Sequence, residues 1–164
     1  MKKVWFSVLI ALAVVTGCKN TPIEKGEPCT VKVGGVEFTK SLNDARSQAT
    51  VEGDKPKVRP FGFAMEHQGK IYFCTNNKKD VYNQLNSNPY FEVCTMSDNG
   101  EWIRLQGKAV FDPSLEAKAK AFEVMPGLAK MYKTSDNPIF EVFYIEEGQA
   151  TLYSFSDAPR IITL

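Results

Sequence analysis

YFEVCTM (90–96), SDNG (97–100) and EWIRLQGKAVF (101–111) read as strand, turn and strand. Aromatic and β-branched side chains recur in both runs, and the connection is made of residues that favour tight turns. In the second run, alternation places Trp102, Arg104, Gln106 and Lys108 on one face. Ile103 and Leu105 take the other. This is the pattern of a half-buried strand in an antiparallel pair.

The same grammar extends outward. TVKV (30–33), Gly34-Gly35 and VEFT (36–39) predict a short hairpin. Residues 41–48 are a candidate helix. Residues 49–52, a turn at Gly53-Asp54 and residues 57–66 predict strand, turn and long strand, and 70–75 a further strand. Asn76 and Asn77 can cap a helix that starts near Lys78, with Val81 and Leu85 one turn apart. It should stop before Pro89, because the residue before a proline avoids the helical region. Asp112 and Pro113 predict another helix start, with Leu115, Ala119, Phe122 and Met125 on one face and an end near Pro126-Gly127. A short helix through Met131 follows. Residues 139–146, a Glu147-Gly148 turn and residues 149–155 predict a closing hairpin. Hairpin connections imply an antiparallel sheet, and regular strand–helix alternation is missing. The expected class is mainly β (α+β): a six-stranded antiparallel β-barrel, closed or split, with two or three flanking helices.

The chain has 164 residues, 43% hydrophobic and 24% charged, so it can build a core and is neither disordered nor collagen-like. Its 20 Lys plus Arg balance 19 Asp plus Glu, which argues against a broad nucleic-acid-binding face. Lys2 and Lys3 precede an apolar run, residues 4–15, that is too short to span a bilayer core of about 30 Å. A basic start and a short apolar stretch form a secretory signal. The run ends in Val15-Thr16-Gly17-Cys18, which resembles the lipobox of bacterial lipoproteins. The expected organisation is a lipoprotein signal peptide (1–17), a tether (18–29) and one folded domain (30–164). Cys18 would carry the lipid and hold the protein to a membrane of the bacterial cell envelope.

Cys29, Cys74 and Cys94 remain. Cys74 and Cys94 lie in strand-like runs, where packing as small hydrophobes is favoured over a bridge. No C-x-x-C occurs, and His67 is the single histidine, in an expected solvated loop. A multi-histidine metal site is therefore excluded. G-x-S-x-G and Walker A patterns are missing too. No side chain stands out as a catalyst, so any redox or group-transfer chemistry must arrive on a bound cofactor.

Three segments suit such a cofactor. In KVRPFGF (57–63), alternation puts Arg59, Phe61 and Phe63 together, a guanidinium beside aromatic rings. In FCTNNKKDVY (73–82), hydroxyl and amide side chains and two lysines meet a helix N-terminus, where free N–H groups and the dipole favour an anion. In EWIRLQGK (101–108), Trp102 and Arg104 suit a planar ligand or a partner subunit.

The stretches VRPFGF (58–63), GKIYFCTNNKKDVYNQL (69–85), EWIRLQGKAVF (101–111) and NPIFEVFYIEEGQATLYSF (137–155) together resemble the pyridoxamine 5′-phosphate oxidase-like family of FMN-binding split barrels. The resemblance implies a homodimer with FMN at each subunit boundary. By position, Arg59 and Lys79 would hold the flavin phosphate, with Thr75, Asn76 and Lys78 beside them. Pro60, Phe61 and Gly62 would run along the isoalloxazine ring, Gln84 would lie near the cofactor, and Trp102 and Arg104 would approach from the partner. The implied function is that of an FMN-dependent oxidoreductase. It would pass electrons from a donor such as a reduced nicotinamide to a small planar acceptor. A non-catalytic flavin- or haem-binding module is the alternative.

Overall fold

The structure is a computed structural model and describes residues 28–33, 36–41, 46–96 and 100–164, with side chains from Arg46 onward. The expected signal peptide, Cys18 and most of the tether lie outside the described residues, as do Ser97, Asp98 and Asn99 of the expected turn. β1 (Pro28–Val33) and β2 (Val36–Ser41) form an antiparallel pair with Val33 opposite Val36, and β1 takes in the last two residues of the expected tether.

The main sheet contains β3 (Arg46–Glu52), β4 (Lys55–Phe61), β5 (Met65–His67), β6 (Lys70–Asn76), β7 (Tyr90–Met96), β8 (Trp102–Asp112), β9 (Phe140–Tyr153) and β10 (Arg160–Thr163). Its order is β4-β3-β7-β8-β9-β6-β5, with β10 also on β9, and every pair is antiparallel. The helices are α1 (Asp80–Ser87), α2 (Leu115–Val124) and α3 (Leu128–Tyr132). The mainly β, antiparallel class with three helices is as expected, with eight strands in the sheet in place of six. Among the described residues no helix is long and apolar enough to cross a membrane.

Four local expectations change. Residues 46–48 belong to β3, not to a helix. The long strand expected over 57–66 breaks after Phe61 and resumes at Met65. On α2 the buried residues are Ala117 and Ala121, and Leu115 is exposed. The cap is the Ser114 side chain, which accepts from the Ala117 N–H, while Asp112 accepts from the Ser114 N–H. The small alanines let the helix sit close on the sheet. Finally, Glu147-Gly148 is a bulge inside one 14-residue strand, β9, not a hairpin turn. Pairing runs from Gln106–Gln149 to Lys108–Glu146, so Glu147 and Gly148 together face Gly107. A Cβ on Gly107 would lie 2.6 Å from Ile145 Cγ1 and 2.8 Å from the Glu146 carbonyl, so only glycine fits there.

Two apolar clusters cover opposite faces of β6 and β9. Phe73 and its register partner Phe143 join Phe61, Phe91 and the α1 residues Val81 and Leu85 on the inner face. Tyr72 and Val142, each one residue away, pack with Phe63, Met65, Ala117, Ala121 and Leu128 under α2 and α3. The expectation that Phe63 shares a group with Arg59 and Phe61 is therefore corrected: the break after Phe61 carries Phe63 to the second cluster.

Candidate functional site

The β3–β4 hairpin turns at Gly53, whose φ of +62° is readily adopted by glycine. Its register places Gln48 opposite Arg59 and Thr50 opposite Lys57. These side chains lie on the inner face of the sheet, beneath α1. There the Gln84 carbonyl oxygen accepts from Arg59 Nη2 and from the Thr50 hydroxyl, both at 2.6 Å. Gln84 Nε2 donates to Glu52 at 3.2 Å, and Lys57 pairs with the same Glu52 oxygen. Gln84 is thus buried and bonded within the chain through both its amide oxygen and its nitrogen, and it fixes the guanidinium of Arg59.

Burial disfavours the charged form of Arg59, opposed by the nearby Asp80 carboxylate. Its second terminal nitrogen, Nη1, is buried and has no hydrogen-bond partner among the described residues. The Thr75 hydroxyl is in the same condition. Both lie on the inner face of the sheet, each two residues from a ring of the inner cluster. β4 and β6 run antiparallel across the sheet order, and Phe61 of β4 meets Phe73 of β6 at 6.1 Å between ring centres. Arg59 lies two residues before Phe61 on β4, and Thr75 two after Phe73 on β6, the strand that leads into α1.

The α1 N-terminus follows directly from β6. Asn76 organises it: its side chain accepts from the Lys78 N–H at 2.7 Å and its carbonyl from the Lys79 N–H at 3.0 Å. The helix itself begins at Asp80, later than expected. Lys79 occupies the cap position with extended backbone and no side-chain cap bond. Lys78 and Lys79 are both exposed, and Asp80 supplies the acidic first-turn residue that suits the dipole. A cleft of about 490 Å³ opens beside this helix, lined by Glu52, Gly53, Asp80, Asn83, Gln84 and Asn88 among others.

Other expected site residues fall elsewhere. Pro60 and Gly62 are exposed, but the Phe61 ring is turned into the core against Phe73 and Phe143. Within one chain Trp102 and Arg104 do not join the Arg59 group; they lie on the outer face of β8. Trp102 stacks on Tyr153 at 5.1 Å and 7°, with Phe155 beside it. Arg104 makes a bidentate pair with Glu92 at 2.6 and 2.8 Å, which raises its pKa, and Tyr153 lies nearby. His67 is not a solvated loop residue: it ends β5, edge-on to Tyr72 and 3.7 Å from Glu116. Cys74 and Cys94 are free, and burial pushes the Cys74 thiol up to about 12. Among the described residues no group of three His, Cys, Asp or Glu could hold a metal. Gln48, Thr50, Glu52 and Asp80 were not anticipated. Counting register outward from the Gly53-Asp54 turn would have placed Gln48 opposite Arg59.

A family model described as pyridoxamine 5′-phosphate oxidase matches residues 43–149. The chain belongs to this family. A NimC/NimA family protein from Clostridium acetobutylicum is 39% identical, with 75% of this chain covering 87% of that one at a TM-score of 0.70. General Stress Protein 26 from Bacillus anthracis str. Sterne shares the fold at 18% identity, over 74% of this chain and 89% of that one, TM-score 0.60. A heme binding protein from Mycobacterium smegmatis shares it at 14% identity, over 73% and 52%, TM-score 0.56. No protein of curated function matches the chain. In this family member the matched segment holds all of β3 to β8, and with them Arg59, Thr75 and α1.

Proposed function

We propose that the protein is a lipid-anchored FMN-binding oxidoreductase that passes electrons from a reduced nicotinamide donor to a small planar acceptor. The observation that carries this reading is the pair of buried, unpartnered groups, Arg59 Nη1 and Thr75 Oγ1, flanking the start of α1. Each is a donor without an acceptor, as a phosphate monoester site requires. Arg59 and Thr75 would hold the phosphate from within, and Lys78, Lys79 and Asn76 from the helix start. Gln84 positions Arg59 through its 2.6 Å bond. Pro60 and Gly62 offer exposed backbone to the flavin ring. Bound FMN would supply the redox chemistry, and no side chain need act as an acid or base. Reduction of the bound flavin by NADH or NADPH, followed by reoxidation on adding a planar acceptor, is the test. A flavin that stays oxidised with either donor would leave binding without turnover, and the oxidoreductase part would fall.

Trp102 and Arg104 are assigned to the cofactor site of a second copy, because they face away from Arg59 in their own chain. The purified protein is then expected to be a homodimer burying at least about 1,000 Å². A monomer in sedimentation at micromolar concentration, with flavin still bound, would contradict the shared site.

Cys18 is proposed as the lipidated residue and the envelope membrane as the location. Cys18→Ser is expected to abolish lipid labelling and to leave the precursor uncleaved. Normal labelling of that variant would disprove the anchor.

A further inference from the structure

Gln48 is 0% exposed, and neither its Nε2 nor its Oε1 has a hydrogen-bond partner among the described residues. A buried amide unpaired at both ends is destabilising, and native interiors hold few of them. Its register neighbours are Val93 on β7, which is apolar, and Arg59 on β4. Arg59 is thus the polar group set directly across from Gln48, and its Nη1 is unpaired as well. Thr50, two residues along on the same face, gives its hydroxyl to Gln84, and the Gln84 oxygen already receives both Thr50 and Arg59. The buried side-chain atoms left unpaired among the described residues are Gln48 Nε2 and Oε1, Arg59 Nη1, Asn77 Oδ1 and the hydroxyls of Thr75 and Thr95; of these only Gln48 Nε2 and Arg59 Nη1 are donors alone, and they belong to register partners. An anion, which only accepts, would satisfy Gln48 Nε2 and Arg59 Nη1 together.

We infer that Gln48 is a further ligand of the FMN phosphate, donating its amide N–H from the buried side of the site beside Arg59 Nη1. The assignment rests on the flavin reading above and adds to it an inner, uncharged wall. Lys78 and Lys79, both exposed, form the outer, cationic one. Gln48 then discriminates a phosphorylated flavin from an unphosphorylated one, at the expense of stability in the ligand-free chain.

Gln48→Leu and Gln48→Glu test this in the full chain, with FMN and riboflavin titrations and the ligand-free Tm as readouts. Gln48→Leu removes two unpaired buried atoms, so its ligand-free Tm is expected to rise by about 2 °C or more. The same variant should bind FMN roughly tenfold more weakly, with riboflavin unchanged. Gln48→Glu sets a carboxylate against the phosphate and should weaken FMN further, again sparing riboflavin. FMN affinity within twofold of wild type in both variants would overturn the assignment while leaving the flavin reading intact. Equal losses for FMN and riboflavin, with a lowered Tm, would make Gln48 a folding residue and overturn it too. A wild-type chain that binds no FMN would overturn both.

Discussion

Arg59→Ala is expected to weaken FMN binding ten- to a hundredfold. The side chain reaches the inner face of β4, where its Nη2 is fixed by Gln84 and its Nη1 is unpaired among the described residues. Hydrogen bonds to a charged group contribute about 1.5–3 kcal/mol each, and each 1.4 kcal/mol is about tenfold in affinity. Lys79→Ala should cost less, since that side chain is exposed and offers a point charge with no fork. Riboflavin is the control. It lacks the phosphate, should bind weakly to the wild type, and should be hardly affected by Arg59→Ala. Equal losses for the two flavins would place Arg59 on the ring or in the fold and remove it from the phosphate site.

Phe143→Ala is expected to destabilise the domain by about 3–5 kcal/mol. Phe143 is 0% exposed, and its ring lies between those of Phe61, Phe73, Phe91 and Phe111, at 5.4–6.2 Å between centres. These residues come from β4, β6, β7 and β8, so the ring ties four strands together on the inner face. A typical domain is stable by only about 5–15 kcal/mol, so the loss is a large share of the total. Urea denaturation, with the slope unchanged and the midpoint lowered, measures it. A shift below about 1 kcal/mol would mean that the cluster collapses into the space and that Phe143 is not its centre.

The strands were legible where alternation is clean and the ends are marked. β7 runs from Tyr90 to Met96 as read, and α1 stops before Pro89 as the proline requires. Errors came where local punctuation resembled something else. Glu147-Gly148 looks like a turn, but Gly107 on the neighbouring strand leaves room for a bulge, and that fact is 40 residues away in sequence. Of the expected apolar stripe of α2, Phe122 and Met125 pack on the second cluster, but Leu115 is exposed and the closest packing falls to Ala117 and Ala121. In the site, Arg59 and Thr75 were named from residue type and position. Gln48, Thr50 and Glu52 escaped because their importance lies in pairing across β3 and β4 and in contacts with α1, which a linear reading does not display. Trp102 and Arg104 share one face of β8 and the buried Ile103 and Leu105 the other, as alternation requires.

The central claim is that the split of the barrel beside α1 is a flavin phosphate site. Incubating the purified protein with FMN, removing free ligand by gel filtration and recording the absorbance spectrum tests it most directly. The account predicts a retained flavin spectrum at about one FMN per chain, eluting with a dimer, and little retention of riboflavin. Protein that emerges without flavin, or that retains FMN and riboflavin equally, would contradict it.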